Sequence, residues 1–348
     1  MRFAAIVKAL GCACLGASLW SGAATAQSPE EFYAKKPFRV LVGTDVGGSY
    51  DLMGRLMARH IGRHMPGRPS VLVENMPGGG SMVATNHLYN VAPQDGSVLG
   101  VVVAGVLLNA LFKDDVVRFD PAKFHWIGNA MDDVTVVTVF HTAPYTTLDG
   151  IRQHEVTMGA GGISSFDATN LFMLNALIGT KFHVVQGYKG GEDLNLAIER
   201  GEIFGRGSQA WAAWRAFRPE WIADGKLVPL VQLGLKPLSD PKLKDVPLLI
   251  DLVKGNDADY KLAYAYCVVL SLGRPMVMGP GVPADRVAAV RQAFLDTVDD
   301  PAFRDDAVRQ HVDLARAGGE EIQREVGSIL ALDPGMVKRL QDIIRKPK

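Results

Sequence analysis

Short runs rich in valine, leucine and isoleucine alternate along the chain with segments whose apolar residues recur at helical spacing. The runs predict β-strands at 38–43, 70–75, 97–105, 134–140, 156–161, 182–188 and 226–234. The helical spacing predicts α-helices at 50–63, 82–89, 166–178 and 192–200, and a helical C-terminal part from about Pro283 onward. Such alternation of strands and helices is typical of an α/β fold.

The first 26 residues have the features of a secretory signal peptide. Arg2 and Lys8 give a basic start, an apolar run covers 9–20, and residues 24–26 (Ala-Thr-Ala) match a cleavage site. A membrane anchor is the alternative, but the run is shorter than the ~18–20 residues that a spanning helix needs. We therefore expect cleavage after Ala26 and export of the mature chain.

Charge and composition restrict the class of function. The chain has 348 residues with 37 Lys+Arg and 37 Asp+Glu, so its formal net charge is zero. It lacks the basic excess of a nucleic-acid coat or a polybasic membrane arm, and we expect no nucleic-acid partner. Hydrophobic residues make up 48% and charged residues 21%, which indicates a globular chain long enough for two domains.

Cleavage after residue 26 would leave a single cysteine. A lipoprotein signal at Cys12 or Cys14 is rejected because residues 9–11 form a poor lipobox before Cys12 and nothing polar separates the two cysteines. Both cysteines lie in the segment that cleavage would remove. Cys267 then has no partner for an intramolecular disulfide. Its apolar neighbours predict a buried, small hydrophobic residue.

Glycine-rich loops connect predicted strands to predicted helices at 46–49, 77–81, 159–165 and 187–191. Glycine lets backbone N–H groups approach a ligand, and the start of the following helix carries unpaired donors and a partial positive charge. Each loop is therefore a potential anion site. Turns in α/β proteins also use glycine for other reasons, and the sequence alone does not show that these loops converge.

Residues 38–100 carry the first part of a family resemblance. The matching positions are Gly47, Gly48 and Asp51, then Val71, Val73, Asn75, Pro77, Gly78 and Gly80, then Ala92, Asp95 and Gly96. In order, spacing and length they resemble the N-terminal signature of the Bug-type periplasmic substrate-binding receptors of tripartite tricarboxylate transporters. Further matches at 125–130, 187–203, 243–249 and 280–305 extend the resemblance over nearly all of the chain after residue 26.

The chain departs from the family pattern at three loops. Residues 43–45 read Gly-Thr-Asp where members usually carry Pro-Phe or Pro-Tyr. The loop at 159–166 reads GAGGISSF where G-x-G-S is common, so either Ser164 or Ser165 fills the serine role. The segment 204–209 reads FGRGSQ and brings an arginine near the edge of the cleft. These departures bear on the ligand more than on the fold.

The resemblance implies a two-lobed periplasmic binding protein of the α/β class, with a ligand cleft between the lobes and two crossover segments. We expect the crossovers near 132–137 and 264–270. Lobe I would then comprise 27–131 plus 268–348, and lobe II 132–267. The resemblance also implies a periplasmic receptor that passes its ligand transiently to a membrane permease and holds no metal or organic cofactor. We expect this receptor to be a monomer.

The family's usual ligand is a small carboxylate, such as a di- or tricarboxylate or an aromatic acid, held by loops that open helices. The candidate ligand-binding residues are Gly47, Gly48, Ser49, Tyr50, Ser81, Ser164, Ser165, Arg206 and Gln209. Backbone N–H groups and serine hydroxyls would bind the carboxylate, and Arg206 would pair with a second one. A structural salt bridge remains the alternative for Arg206. Asp51 is expected to order its own loop, and Asp167 to mark a helix start.

Two other functions compete with this interpretation. For an enzyme, the chain carries no HExxH, GxSxG or P-loop motif. His60 and His64 stand four residues apart but lack a third metal ligand nearby, so we expect solvated side chains. A receptor of this kind can also dock the outer domain of a two-component sensor. The sequence does not separate sensing from transport, because docking surfaces carry no short motif.

Overall fold

The computed structural model describes residues 27–47, 49–131, 134–162, 165–188, 190–310 and 312–345. The predicted signal peptide, residues 1–26, lies outside the described residues. Within the described ranges, no helix has both the length and the apolar character needed to cross a lipid bilayer.

Strands and helices alternate over most of the chain, as predicted. The strands are β1 (Phe38–Val42), β2 (Val71–Asn75), β3 (Val98–Val101), β4 (His125–Met131), β5 (Thr135–Phe140), β6 (Val156–Ala160), β7 (Phe182–Gln186), β8 (Gly205–Arg206), β9 (Leu227–Leu233), β10 (Met276–Met278) and β11 (Leu314–Gly318). The helices are α1 (Pro29–Lys35), α2 (Ser49–Ile61), α3 (Met82–Asn90), α4 (Val106–Leu111), α5 (Leu148–Gln153), α6 (Phe166–Ile178), α7 (Gly191–Glu199), α8 (Trp211–Phe217), α9 (Pro219–Ala223), α10 (Leu249–Leu252), α11 (Asp257–Ser271), α12 (Ala284–Asp299), α13 (Pro301–Arg309), α14 (Gly319–Leu330) and α15 (Pro334–Arg345).

In the described part of the chain the strands form two sheets. The first sheet has the order β11-β4-β10-β3-β1-β2, and the second has the order β7-β6-β8-β5-β9. The chain leaves the first sheet after Met131 and enters the second at Thr135. It leaves the second sheet after Leu233 and returns to the first at Met276, with α10 and α11 between. This is the two-lobed α/β architecture predicted from the sequence.

Strand directions determine which loops share an edge. In the first sheet β1, β2 and β3 run parallel, and β10 runs antiparallel to β3 with Met276 opposite Val101. The ends of β1 to β3 and the start of β10 therefore share one edge. In the second sheet β6, β7 and β8 run parallel, and β5 runs antiparallel to β8. The ends of β6 to β8 and the start of β5 therefore share one edge too.

The first crossover joins these two edges. Strand β4 runs with β3, since both are antiparallel to β10, so β4 ends at the shared edge of the first sheet. The start of β5 at Thr135 follows the end of β4 at Met131 closely. Because each residue advances the chain by at most ~3.8 Å, these strand ends lie within about 15 Å of each other. The glycine-rich loops after β1, β2, β6 and β7 therefore lie on the two edges that the crossover joins.

Tightly packed apolar side chains hold the helices on the sheets. Met53 and Leu56 of α2 are fully buried against the first sheet, and Phe294 of α12 occupies the space where a Cβ on Gly128 of β4 would lie. Burying a side chain of this size contributes about 1.5–3 kcal/mol. Cys267 of α11 is also fully buried, and burial raises the pKa of its thiol to about 12, which confirms the sequence prediction.

The prediction of a purely helical C-terminal part is wrong at two places. Strands β10 and β11 both come from this part and complete the first sheet. Strand β10 has only three residues, and β11 is half-buried or exposed at every position, so neither carries the long apolar run or strict alternation that marks a strand. The predicted strand 97–105 also ends early, at Val101, and is followed by helix α4.

Candidate functional site

The carboxylate of Asp51 organises the loop between β1 and α2. It accepts hydrogen bonds from the N–H of Gly47 at 2.9 Å, from Arg55 Nε at 2.9 Å and from Asn75 Nδ2 at 2.9 Å. Burial by itself raises the pKa of Asp51, but these hydrogen bonds outweigh it and hold the pKa below its usual range. Asp51 is also 2% exposed. Because its hydrogen bonds link Gly47 of the loop to Asn75 of β2, the prediction that Asp51 orders its own loop is confirmed.

The hydrogen bonds of Asp51 involve one of the backbone N–H groups that were predicted to bind a ligand, that of Gly47. The N–H of Gly47 is directed at Asp51, and Gly47 has φ +90°, a conformation that favours glycine. Gly48 lies outside the described residues. The role of these two glycines in binding a ligand therefore stays a prediction, and Gly47 now has a structural role of its own.

Ser49 and Tyr50 form the first turn of α2 and are both contacted by Arg274. Arg274 Nη2 donates to Ser49 Oγ at 2.8 Å, and the guanidinium carbon lies 5.0 Å from the centre of the Tyr50 ring. The Tyr50 hydroxyl donates to the carbonyl of Gly273 at 3.3 Å, and burial raises its pKa. The sequence analysis missed Arg274, because its contact with Ser49 spans 225 positions along the chain.

Ser81 is the N-cap residue of α3, at the end of the loop that follows β2. It has φ +76°, is 1% exposed, and its Oγ has no hydrogen-bond partner among the described residues. The oxygen lies beside Gly43, where a Cβ would collide with it. A buried hydroxyl without a partner costs about 1–3 kcal/mol, so a ligand acceptor here would offset that cost. The binding role predicted for Ser81 is untested.

On the second sheet, Ser165 caps α6 from the loop after β6. Its Oγ accepts a hydrogen bond from the N–H of Ala168 at 3.3 Å and donates to the carbonyl of Gly162 at 2.8 Å. Such an N-cap typically contributes about 1 kcal/mol to helix stability. Ser164, the alternative serine, lies outside the described residues. The choice between the two as ligand contacts therefore stays open.

Arg206 forms a two-point ion pair with Asp167 at the start of α6. Arg206 Nε lies 3.1 Å from Asp167 Oδ1, and Nη2 lies 3.2 Å from Oδ2. The N–H of Ser208 also donates to Asp167 at 3.0 Å, and Arg206 is 5% exposed. Burial raises the pKa of Asp167, and the charge of Arg206 opposes this shift. The structural salt bridge, which the sequence left open for Arg206, is therefore present.

Gln209 follows β8 at the edge of the second sheet, where its carbonyl accepts from the N–H of Val136 at 3.0 Å. Gln209 is half-buried. Arg206 ends β8 and Gln209 follows it, and their predicted role in binding a ligand stays a prediction.

His60 pairs with Asp306 of α13, and His64 pairs with Asp300, the N-cap residue of α13. His60 Nε2 lies 2.9 Å from Asp306 Oδ2, and His64 Nε2 lies 2.8 Å from Asp300 Oδ2. His60 is 8% exposed, so the expectation of a solvated side chain is wrong for it. No group of three or more potential metal ligands occurs among the described residues. The His60 pair joins α2 to α13, and the His64 pair joins the residues after α2 to the start of α13.

Helix starts are the shared chemical feature of the two adjoining edges. Helices α2 and α3 begin at the edge of the first sheet, and α6 and α7 begin at the edge of the second. Helix N-termini present unpaired N–H donors and a partial positive charge, which suits a small anion. Serine hydroxyls at positions 49, 81 and 165 stand at three of these starts.

Comparison with known proteins was made for both sequence and structure. No protein-family model matches the chain. A curated relative from Cupriavidus necator, described as the UPF0065 protein in the gbd 5' region, is 25% identical over 303 residues. The match covers 85% of this chain and 84% of the relative.

Solved structures share the fold. A TctC solute-binding protein from Polaromonas has a TM-score of 0.69 at 20% identity, over 88% of this chain and 99% of that one. The periplasmic binding protein BugD has a TM-score of 0.59 at 17% identity, over 89% and 98% of the two chains. This chain is similar to TctC and Bug solute-binding proteins. The resemblance predicted from the sequence is thereby confirmed.

A further structural neighbour contains a bound ligand. MatC from Rhodopseudomonas palustris, with bound malate, has a TM-score of 0.60 at 17% identity, over 89% of this chain and 99% of that one. The matches to these three structures cover 88–89% of this chain, so the likeness extends over both sheets.

Proposed function

We propose that this protein is a periplasmic solute-binding receptor that captures a small carboxylate between its two lobes and delivers it to a tripartite tricarboxylate transporter. The observation that carries the proposal is the position of the helix starts: α2, α3, α6 and α7 all begin on the two edges joined by the first crossover. The bound malate in the MatC neighbour supports the ligand class.

Helix starts and hydroxyls are sufficient for useful affinity. A hydrogen bond to a charged group is worth about 1.5–3 kcal/mol, and micromolar binding requires about 8 kcal/mol. Several such bonds to one or two carboxylates reach this range after the costs of ordering are subtracted. Closure of the lobes would exclude water and strengthen each bond.

The proposal assigns the lobes as in the sequence analysis: 27–131 plus 268–348 for lobe I, and 132–267 for lobe II. The membership of the strands supports this division, because β1 to β4, β10 and β11 form one sheet and β5 to β9 form the other. The proposed ligand-binding residues are Gly47, Gly48, Ser49, Tyr50, Ser81, Ser164, Ser165, Arg206 and Gln209. Of these, Ser81 has the strongest support, since its buried hydroxyl lacks a partner among the described residues.

The proposal includes export and partnership. The first 26 residues would act as a signal peptide cleaved after Ala26, and the mature protein would work as a monomer that contacts a membrane permease transiently. The protein would bind its ligand without chemical change, since the Polaromonas neighbour is described as a solute-binding protein and BugD as a periplasmic binding protein.

A thermal-shift screen tests the proposal. The mature chain, residues 27–348, is melted with mono-, di- and tricarboxylates, aromatic acids and nicotinate-like acids, and the solutions are then analysed by NMR. At least one acid should raise the melting temperature and be recovered unchanged. Consumption of that acid, or no shift with any acid, would refute the proposal.

The role of Arg206 is tested separately. If Arg206 leaves Asp167 to bind a second carboxylate of the ligand, Arg206→Ala should lower the affinity for any dicarboxylate that the screen identifies. Unchanged affinity would show that Arg206 serves the ion pair with Asp167 alone.

A further inference from the structure

A buried group of polar side chains joins α6 to α11. Tyr266 of α11 donates its hydroxyl proton to Asn170 Oδ1 of α6 at 2.6 Å, and its oxygen lies 2.7 Å from Thr169 Oγ1. The three side chains are at most 2% exposed. Polar groups at such depth are costly unless each finds a partner, so the bonds between them specify one arrangement. These three residues are called the Tyr266 network below.

The direction of each hydrogen bond in the Tyr266 network follows from its acceptor. Asn170 Nδ2 donates to the carbonyl of Gly207 at 2.8 Å, which places the amide oxygen on the side of Tyr266. Since the single phenolic proton goes to that oxygen, the Thr169 hydroxyl must donate to the Tyr266 oxygen. Burial raises the pKa of Tyr266 far above its usual value, so the phenol keeps its proton. The donors therefore run in one direction and end at the backbone of Gly207.

The network ends at the segment 206–209, which includes two of the proposed ligand-binding residues. A Cβ on Gly207 would lie 2.0 Å from the carbonyl oxygen of Asp167, so this segment packs directly against the first turn of α6. The bond from Asn170 holds the Gly207 carbonyl there, and the N–H of Ser208 donates to Asp167 at 3.0 Å. The position of the segment at this edge of the second sheet therefore depends on Asn170.

Tyr266 lies on a helix that contacts both lobes. It belongs to 264–270, the segment expected as the second crossover, and α11 leads back to β10 of the first sheet. Helix α11 packs against α6 and also against α14, which packs on β4 of the first sheet. Asn170 Nδ2 also lies 3.5 Å from Thr135 Oγ1, where the first crossover enters β5. The Tyr266 network therefore connects the segment 206–209 with both crossovers.

We propose that Tyr266 is a positioning residue for ligand binding: through Asn170 it fixes the segment 206–209 and the start of α6 relative to the crossover helix α11. This inference rests on the proposed function and deepens it. Tyr266 is fully buried, so it acts through the backbone that Asn170 holds and not by touching the ligand. Loss of its hydroxyl leaves Asn170 Oδ1 without this donor and loosens the hold on Gly207. A ligand must then order a looser segment when it binds, which lowers its affinity.

Tyr266→Phe tests the inference, with Tyr33→Phe as its matched control. Tyr33 is likewise buried, and its hydroxyl donates to the carbonyl of Gly96 at 2.9 Å. Gly96 precedes β3, so this bond lies at the opposite edge of the first sheet from the candidate site. Both variants lose a buried phenolic hydroxyl, and both should unfold at a lower urea concentration than the wild type. A difference in ligand affinity between them therefore does not come from stability alone.

Calorimetry on the mature chain, residues 27–348, gives the first readout, with malate, succinate and benzoate as ligands. The temperature is chosen so that all three proteins are folded. Tyr266→Phe should weaken each acid that the wild type binds by about 3- to 10-fold, as expected for the loss of one neutral hydrogen bond. Tyr33→Phe should stay within about twofold of the wild type.

Hydrogen exchange of the ligand-free proteins, followed by NMR, gives the second readout. The N–H of Ser208, which donates to Asp167, should exchange about tenfold faster in Tyr266→Phe than in the wild type. The N–H of Gly47, which lies in a loop of the first lobe, should keep its wild-type rate. A general loss of stability would instead accelerate exchange at both positions.

Two results would overturn the inference and leave the proposed function intact. The first is equal affinity of Tyr266→Phe and the wild type, or an equal loss of affinity in Tyr33→Phe. The second is an unchanged exchange rate at Ser208 in Tyr266→Phe. If the wild type binds none of the three acids, the proposed function fails for this ligand class, and the inference fails with it.

Thr169→Val decides the matter if Tyr266→Phe does not fold. It removes the donor to the Tyr266 oxygen but leaves the bond from Tyr266 to Asn170 in place. Its affinity and its exchange rate at Ser208 should therefore stay within about threefold of the wild type. A larger change would overturn the inference, because the segment would then be held by something other than the bond between Tyr266 and Asn170.

Discussion

The hydroxyl of Ser81 allows a test in which stability and affinity should change in opposite directions. In the ligand-free protein this hydroxyl is buried, with no hydrogen-bond partner among the described residues. An unsatisfied buried hydroxyl costs about 1–3 kcal/mol. Ser81→Ala removes the cost, and the backbone strain at φ +76° is the same for serine and alanine. We therefore expect Ser81→Ala to raise the free energy of unfolding by about 1 kcal/mol.

The same substitution should weaken ligand binding. If the hydroxyl donates to a carboxylate, the variant loses a hydrogen bond to a charged group worth about 1.5–3 kcal/mol, which corresponds to about a 10- to 100-fold weaker affinity. Urea unfolding measures the first effect, and calorimetry with an acid from the thermal-shift screen measures the second.

Thr138→Val is the matched control for Ser81→Ala. Thr138 Oγ1 is likewise buried and unpartnered among the described residues, but it lies inside β5 in the other sheet, three residues after the start of that strand. Its isosteric replacement should raise stability and leave affinity unchanged. The reasoning about Ser81 is refuted if Ser81→Ala destabilises the ligand-free protein by more than about 1 kcal/mol. It is equally refuted if Ser81→Ala binds the acid as tightly as the wild type.

Two further predictions concern charges that stabilise the fold. Asp167→Asn leaves Arg206 buried without its carboxylate and should lower the free energy of unfolding in urea by about 3–5 kcal/mol. The control Asp149→Asn, at an exposed ion pair, should lower it by less than about 0.5 kcal/mol. Equal losses for the two variants would contradict this prediction. The pKa of Asp306 lies far below its usual range, and the hydrogen bond from His60 is the largest cause. The stability that Asp306 contributes is therefore fully present above the unfolded pKa of about 3.9 and is lost as the pH falls toward the folded pKa. Asp306→Asn should therefore reduce the slope of unfolding free energy against pH below about pH 4, and an unchanged slope would contradict the assignment.

Much of the fold follows from local sequence signals. Helix α6 spans Phe166–Ile178, as predicted, because Ser165 caps its start and Gly179 ends it in the left-handed conformation at φ +72°. Strands β5, β6, β7 and β9 of the second sheet carry apolar runs that are equally visible, whereas the two-residue strand β8 carries none. Strand β10 was missed because its three residues form a strand only through their pairing with β3 and β4.

In the candidate site, too, features set by local sequence could be predicted and contacts between distant residues could not. Glycine-rich loops and helix starts are local features, and the loops that the sequence singled out do lie on the two adjoining edges. The partners of the charged groups are not local: Arg206 meets Asp167 across 39 positions, and Arg274 meets Ser49 across 225. Both contacts depend on the order of strands in a sheet, which no local pattern specifies.

An arginine looks the same in a sequence whatever its partner in the folded protein. The sequence analysis selected Arg206 because the segment 204–209 is expected near the edge of the cleft. In the structure Arg206 pairs with Asp167, and the pairing of β10 with β3 brings Arg274 to the start of α2. The partners of an arginine therefore follow from the arrangement of the strands and not from the residues beside it in the sequence.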